Sequence, residues 1–155
     1  MLLGKLRSRF LQHHALLLAY LDRLEDALAS LEKAGELPAV SVPLETARVI
    51  REVVDFLERW EAQHEAEEER ILVPLLREAE VSHELKRQEI LETLHAQHVE
   101  GGRIFEAFRS SCRADAGAAC PEGAVAADFA ERARELIEHF RRHVEFENAC
   151  LLEKL

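Results

Sequence analysis

Two pentapeptides constrain this chain more than anything else in it: His64-Glu65-Ala66-Glu67-Glu68 and, far downstream, His143-Val144-Glu145-Phe146-Glu147. In each, a His and a Glu stand four residues apart, a spacing that on an α-helix stacks imidazole and carboxylate on one face. Both faces are otherwise apolar. At about 100° per residue, His64 and Glu68 share a stripe with Ile50, Val53, Leu57, Trp60, Ile71 and Leu75. His143 and Glu147 share one with Val125, Phe129, Leu136, Cys150 and Leu151. A solvated surface pair is the usual fate of such spacing, but these stripes are core faces. An ionised carboxylate there is costly unless it is paired or bound to a metal. The similarity also extends outward, because Leu72 and Leu76 follow the first His at the offsets at which Leu151 and Leu155 follow the second. The chain therefore has to fold so that two distant helices aim alike at one polar object.

The apolar periodicity predicts four helices. The first runs from about Lys5 to Ala34 on Leu6, Phe10, Leu17, Leu21, Leu24, Leu28 and Leu31, and is closed by Gly35 and Pro38. Ser41 as cap and Pro43 in the first turn open the second, from Leu44 to Leu76, and Pro74 is expected to kink or end it because proline has no N–H to donate. Ser82 caps the third, whose face Leu91, Leu94, His98, Phe105 and Cys112 leads to about Arg113. After a small, flexible segment from Ala114 to Gly123, the fourth begins near Pro121 and continues almost to Leu155. Only 6% of residues are aromatic, and Leu, Ala, Glu and Arg dominate, so an all-α protein is expected. With 155 residues it is read as one domain, 1–155: an antiparallel up-down-up-down four-helix bundle, whose interior is a usual place for a metal site.

A formal net charge of −10 with no basic stripe argues against a nucleic-acid partner. The apolar patch Ala15 to Leu21 is ended by Asp22 and Arg23, too short for a membrane span, and no cleavage site follows it. Three cysteines, Cys112, Cys120 and Cys150, lack metal-ligand spacing and fit a reducing cytoplasm, with a Cys112–Cys120 bridge as the unsupported alternative.

If helices two and four each bring a His/Glu pair, helices one and three should supply matching ligands. On the third, His98 falls within the apolar stripe and His95 at its margin. On the first, His13 and His14 straddle the apolar centre; His14 is favoured because Leu11, Leu18, Leu21 and Leu28 surround it. His139, one turn before His143, reads as an additional ligand or as a hydrogen-bond partner to one, and His83 as solvated. Glu65, Glu67 and Glu69 read as the wet face of their helix. The expected metal set is His14, His64, Glu68, His98, His143 and Glu147. Imidazole with carboxylate suits iron or manganese, and the lack of thiolate argues against structural zinc. Two carboxylates from related helices are placed to bridge two ions, with two histidines terminating each. Ferritin-like chemistry fits poorly, because Glu61-x-x-His64 and Glu92-x-x-His95 fall on adjacent helices.

These residues resemble the hemerythrin-like, or HHE cation-binding, domain: a lone His on helix one, His-x-x-x-Glu on helix two, a lone His on helix three and His-x-x-x-Glu on helix four. Gln12-His13-His14 and Ala96-Gln97-His98 are similar to its first- and third-helix motifs, and Ile71-Leu72-Val73-Pro74 to the tail of its second. Glu153 stands where the fourth helix would repeat that proline. The resemblance implies two iron ions bridged by Glu68 and Glu147 and by an oxo or hydroxo group. It departs from the oxygen-carrying members, which have a second His on helix three, where Gly102 stands, and an Asp at +5 on helix four, where this chain has Glu147 at +4. The expected function is binding or sensing of dioxygen, nitric oxide or peroxide. The alternatives are a non-haem di-iron oxidase or oxygenase acting on a small organic substrate, and iron delivery or iron–sulfur-cluster repair. Cys150 and His139, if the protein is an enzyme, would lie near enough to tune the site or relay protons. A monomer or homodimer is expected. Gly101 and Gly102, each costing about 1 kcal/mol against Ala in a helix interior, read as close packing or a kink, or as room left for a small ligand.

Overall fold

A computed structural model describes residues 2–34, 43–74, 84–112 and 128–150. Four helices make it up: α1 Leu2–Ala34, α2 Leu44–Glu67, α3 Glu84–Ser111 and α4 Phe129–Cys150. They form an all-α four-helix bundle, with no strand among the described residues. Helix α1 packs on α2 and α4, and α3 packs most extensively on α4; the α2–α3 seam is the sparsest of the four. The expected caps Gly35, Ser41 and Ser82, the Ala114–Gly123 loop and the helix ends at 121–127 and 151–155 lie outside the described residues.

The apolar stripes meet as two clusters. The larger joins Leu17, Leu57, Phe105, Phe108, Phe129 and Leu136, among others, from all four helices. The smaller joins Phe10, Leu72, Ile90 and Leu94, with Leu6, Leu91, Phe146 and Cys150 half-buried against it. Burying a side chain such as Phe108 contributes about 1.5–3 kcal/mol, so these clusters set the register of the helices. The layer between them holds the histidines and glutamates, since His14 follows Phe10 by one turn on α1 and His98 follows Leu94 by one turn on α3.

Helix α2 does not end as a plain α-helix. Glu68–Leu72 form a π-helical turn, in which the Val73 N–H donates to the Glu68 carbonyl, five residues back. Pro74 lies immediately beyond, where a proline has no N–H to continue the α ladder, and π turns recur at functional sites. The extra residue in the turn rotates the side chains at its far end. As a result Leu72, at 1% exposure, faces the core in place of Ile71, which regular α periodicity had assigned there. Two further expectations are corrected. Pro43 sits at the N-cap, one position before the first turn, with extended ψ of 145° and its carbonyl accepting the Ala47 N–H at 2.9 Å. Leu11, counted among the residues around His14, is exposed, because the buried face of α1 runs through Phe10, His14, Leu17 and Leu21.

Candidate metal centre

All six expected donors come together. His14 and Glu147, from α1 and α4, place Nε2 2.7 Å from Oε2. His143 Nε2 stands 2.8 Å from the other Glu147 oxygen, and His64 Nε2 lies 3.2 Å from Glu147 and 3.4 Å from Glu68. His98 closes the ring, with Nε2 2.9 Å from Glu68 Oε2 and 3.9 Å from Glu147 Oε1. One atom from each of His64, Glu68, His143 and Glu147 lies within 4.8 Å of all the others. Five of the six side chains are 0–3% exposed, and His98 is 13% exposed.

Every imidazole turns Nε2 toward the carboxylates, and for two of them the opposite nitrogen explains why. The His14 Nδ1–H donates to Asn148 Oδ1 at 2.9 Å, and the His143 Nδ1–H to Gln97 Oε1 at 3.0 Å. A donor so fixed leaves the lone pair on Nε2, directed inward. His64 is held instead by rings, with Trp60 stacked on it at 4.2 Å and the edge of Phe10 at 5.8 Å. Nothing in the sequence pattern marks Gln97 and Asn148 beyond their adjacency to His98 and Glu147; the acceptor each provides serves a histidine on a different helix.

The donor set fits a metal on one structural observation. Both Glu68 oxygens, Glu147 Oε1 and the Nε2 atoms of His14 and His98 are buried and make no aligned hydrogen bond among the described residues. An unsatisfied buried polar atom costs about 1–3 kcal/mol, so five crowded together call for a shared electrophile. Protonation points the same way. Burial pushes the Glu68 carboxyl up to about 9, with His98 opposing and Glu147 reinforcing the shift. Burial also raises Glu147, but the four histidines around it outweigh that and hold it well below the usual carboxylate range. Burial lowers His98, yet its closeness to Glu147 and Glu68 prevails and pushes it up to about 10. His64 is lowered by burial. Without a cation the cluster thus keeps Glu147 charged, while Glu68 and His98 each hold a proton to higher pH than usual.

The remaining candidates stand aside. His13 is half-buried, with Nδ1 3.8 Å from Glu67. His95 is exposed. The His139 Nε2–H donates to the Gln97 carbonyl at 3.1 Å, so this histidine supports α3 and does not join the ring of donors. Glu67, expected on the wet face, is half-buried and pairs with Arg9. Cys150 is half-buried at the edge of the smaller cluster. His83 and Cys120 lie outside the described residues. The two glycines divide the readings between them. A Cβ on Gly101 would meet His139 Nε2 at 3.0 Å, which is close helix packing, whereas one on Gly102 would meet Glu61 Oε1 at an ordinary 3.7 Å.

A helical bundle with a buried layer of histidine and carboxylate donors defines a class of cation-binding protein. The chain matches the family model of the hemerythrin HHE cation binding domain over residues 6–155, and it belongs to that family. A search of curated proteins and one of solved structures each returned no match. Among the described residues no helix is long and apolar enough to cross a membrane.

Proposed function

We propose that this protein holds two iron ions between Glu68 and Glu147 and uses them to bind or sense dioxygen, nitric oxide or peroxide. In this reading the carboxylates of Glu68 and Glu147 would hold the ions, and His14, His64, His98 and His143 would each supply one Nε2. The observation that carries it is the convergence of those donors, from four helices and without a thiolate, on one layer where five buried atoms make no aligned hydrogen bond among the described residues. Bound iron would supply the redox and Lewis-acid chemistry that a diatomic ligand requires.

The chain's own residues do the rest. Phe10, Trp60, Leu72 and Leu94 exclude bulk water on either side of the donors. Gln97 and Asn148 hold two imidazoles in the tautomer that presents Nε2. Glu68 gives up its proton on loading, so that metal uptake releases acid. Ions held by only these six protein donors would be able to accept a small ligand as well. One observation favours an oxidase or oxygenase as the second reading. A cavity of about 350 Å³ reaches Glu68 and His98, within the range that accommodates a small organic molecule. A single domain in a reducing cytoplasm belongs to the same proposal.

The test is anaerobic loading with ferrous iron, followed by metal analysis and near-ultraviolet absorption on exposure to dioxygen and to nitric oxide. Two irons per chain and a spectral change without oxygen consumption are expected. Continuous oxygen uptake with an organic substrate would move the assignment to the enzyme, and failure to retain iron would overturn both.

A further inference from the structure

Building on the proposed iron centre, we infer that a divalent cation enters through the α2–α3 seam, captured by Glu65, Glu69 and His95 and passed to Glu68 and His98. The seam is where the bundle is least tightly packed. Two hollows lie along it. The inner, of about 350 Å³, is lined by Glu68 and His98 together with Val73, Leu91 and Leu94. The outer, of about 720 Å³, opens over Glu58, Glu61, Glu65, Gly102 and Glu106. Glu69, His95 and His98 line both, so the two hollows adjoin at these side chains, between the surface and the donors. His98 is also the most exposed of the six donors, at 13%.

Charge makes the seam selective. Arg109 is the one guanidinium among the residues lining the outer hollow, and it is tied to Glu58 at 2.9 Å and to Glu106 at 2.8 Å. Glu65 and Glu69 add two carboxylates beyond that balance, and Glu61 a third that is partly protonated near neutral pH. A cleft with an excess of one sign of charge raises the local concentration of counter-ions and their rate of entry. Burial first, and then the neighbouring Glu65 and Glu106, push the Glu61 carboxyl up to about 7. Gly102 lines the outer hollow, one turn beyond His98. The recipient is independent of the acidic lining: Glu68, 0% exposed at the floor of the inner hollow, faces His98 Nε2 at 2.9 Å and His64 Nε2 at 3.4 Å, with neither carboxylate oxygen in an aligned hydrogen bond among the described residues. The groove on the opposite face differs. Of about 450 Å³, it is lined by Arg134, Arg141 and Arg142 against Glu25, Glu32, Glu138 and Glu145, and none of the six donors lines it.

Metal-free protein mixed with cobalt(II), followed by its visible absorption in a stopped-flow instrument, tests the route without any activity assay. The triple variant Glu65→Gln, Glu69→Gln, His95→Ala should bind cobalt about tenfold more slowly at low ionic strength. Salt near 0.5 M should abolish most of that difference, and the final cobalt content should equal that of the unaltered protein. Glu138→Gln, on the opposite face and 71% exposed, should leave the rate unchanged. A triple variant that loads at the original rate, or a Glu138→Gln protein slowed as much, would overturn the route. So would a triple variant that ends with less bound metal, because the altered groups would then belong to the centre itself. An unaltered protein that takes up neither cobalt nor iron would instead overturn the centre, and the route with it.

Discussion

Glu68 and Glu147 occupy the same place in the same motif, four residues after a histidine, yet the fold treats them as opposites. Glu147 sits on a regular α-helix within 3.9 Å of four imidazoles, which keep it ionised. Glu68 opens a π-helical turn, has His64 and His98 for neighbours, and is pushed up to about 9 by burial. Identical spacing therefore gives a permanent charge on one side of the centre and a displaceable proton on the other. The lesson is that a helical motif sets direction, while the number of partners arriving from other helices sets protonation.

The sharpest way to break this asymmetry is to neutralise each acid in metal-free protein. Glu147→Gln should cost about 3 kcal/mol, because it removes the charged partner of a buried cluster. Glu68→Gln, which replaces a group already neutral near pH 7, should cost under about 1 kcal/mol. Urea unfolding of both variants measures the difference, and equal costs would abolish the distinction between the two acids.

The pH dependence sharpens it further. Glu68 binds its proton more tightly folded than unfolded, so its contribution to metal-free stability declines as pH rises from about 4.5 toward 9. The His98 contribution is fully present below about 6.5 and is lost as pH approaches about 10. Glu147 works the other way: its contribution is present above the ordinary carboxylate range and is lost only as the solution becomes strongly acidic. The midpoint of thermal unfolding of metal-free protein should thus fall between about pH 6 and 9, whereas metal affinity should rise over the same interval, as protons stop competing. Glu68→Gln should flatten the first of these curves. A metal-free midpoint that climbs with pH would contradict the assignment.

The smallest effect concerns the amides behind the histidines. Asn148→Ala and Gln97→Ala should each weaken metal binding about ten- to a hundredfold, measured by competition with a chelator, with little change in metal-free stability. A loss confined to one of them would show that the two ends of the centre are tuned unequally, as the two glutamates are.

Much of this architecture is legible in the residues themselves. The helices follow from apolar spacing, and the two His-x-x-x-Glu pairs announce that charged groups must lie within a core. His98 stands out because its neighbours one turn either way are apolar. On α1 the pattern hesitated between His13 and His14, which differ by one position and straddle the stripe. The structure puts His14 in the buried layer and turns His13 toward Glu67, because Asn148 and Glu147 from α4 face only the former. The inward turn of Leu72 was likewise hidden from regular periodicity, since it depends on a π turn at the end of α2.

By itself the chain determined which side chains share a face, because that depends on a local repeat of about 3.6 residues and on nothing farther away. The tertiary structure alone decided how many histidines surround each glutamate, which amides hold them, and which seam stays open above the donors. Those are meetings between residues remote in sequence, set by how four apolar stripes pack, and no helical period encodes them.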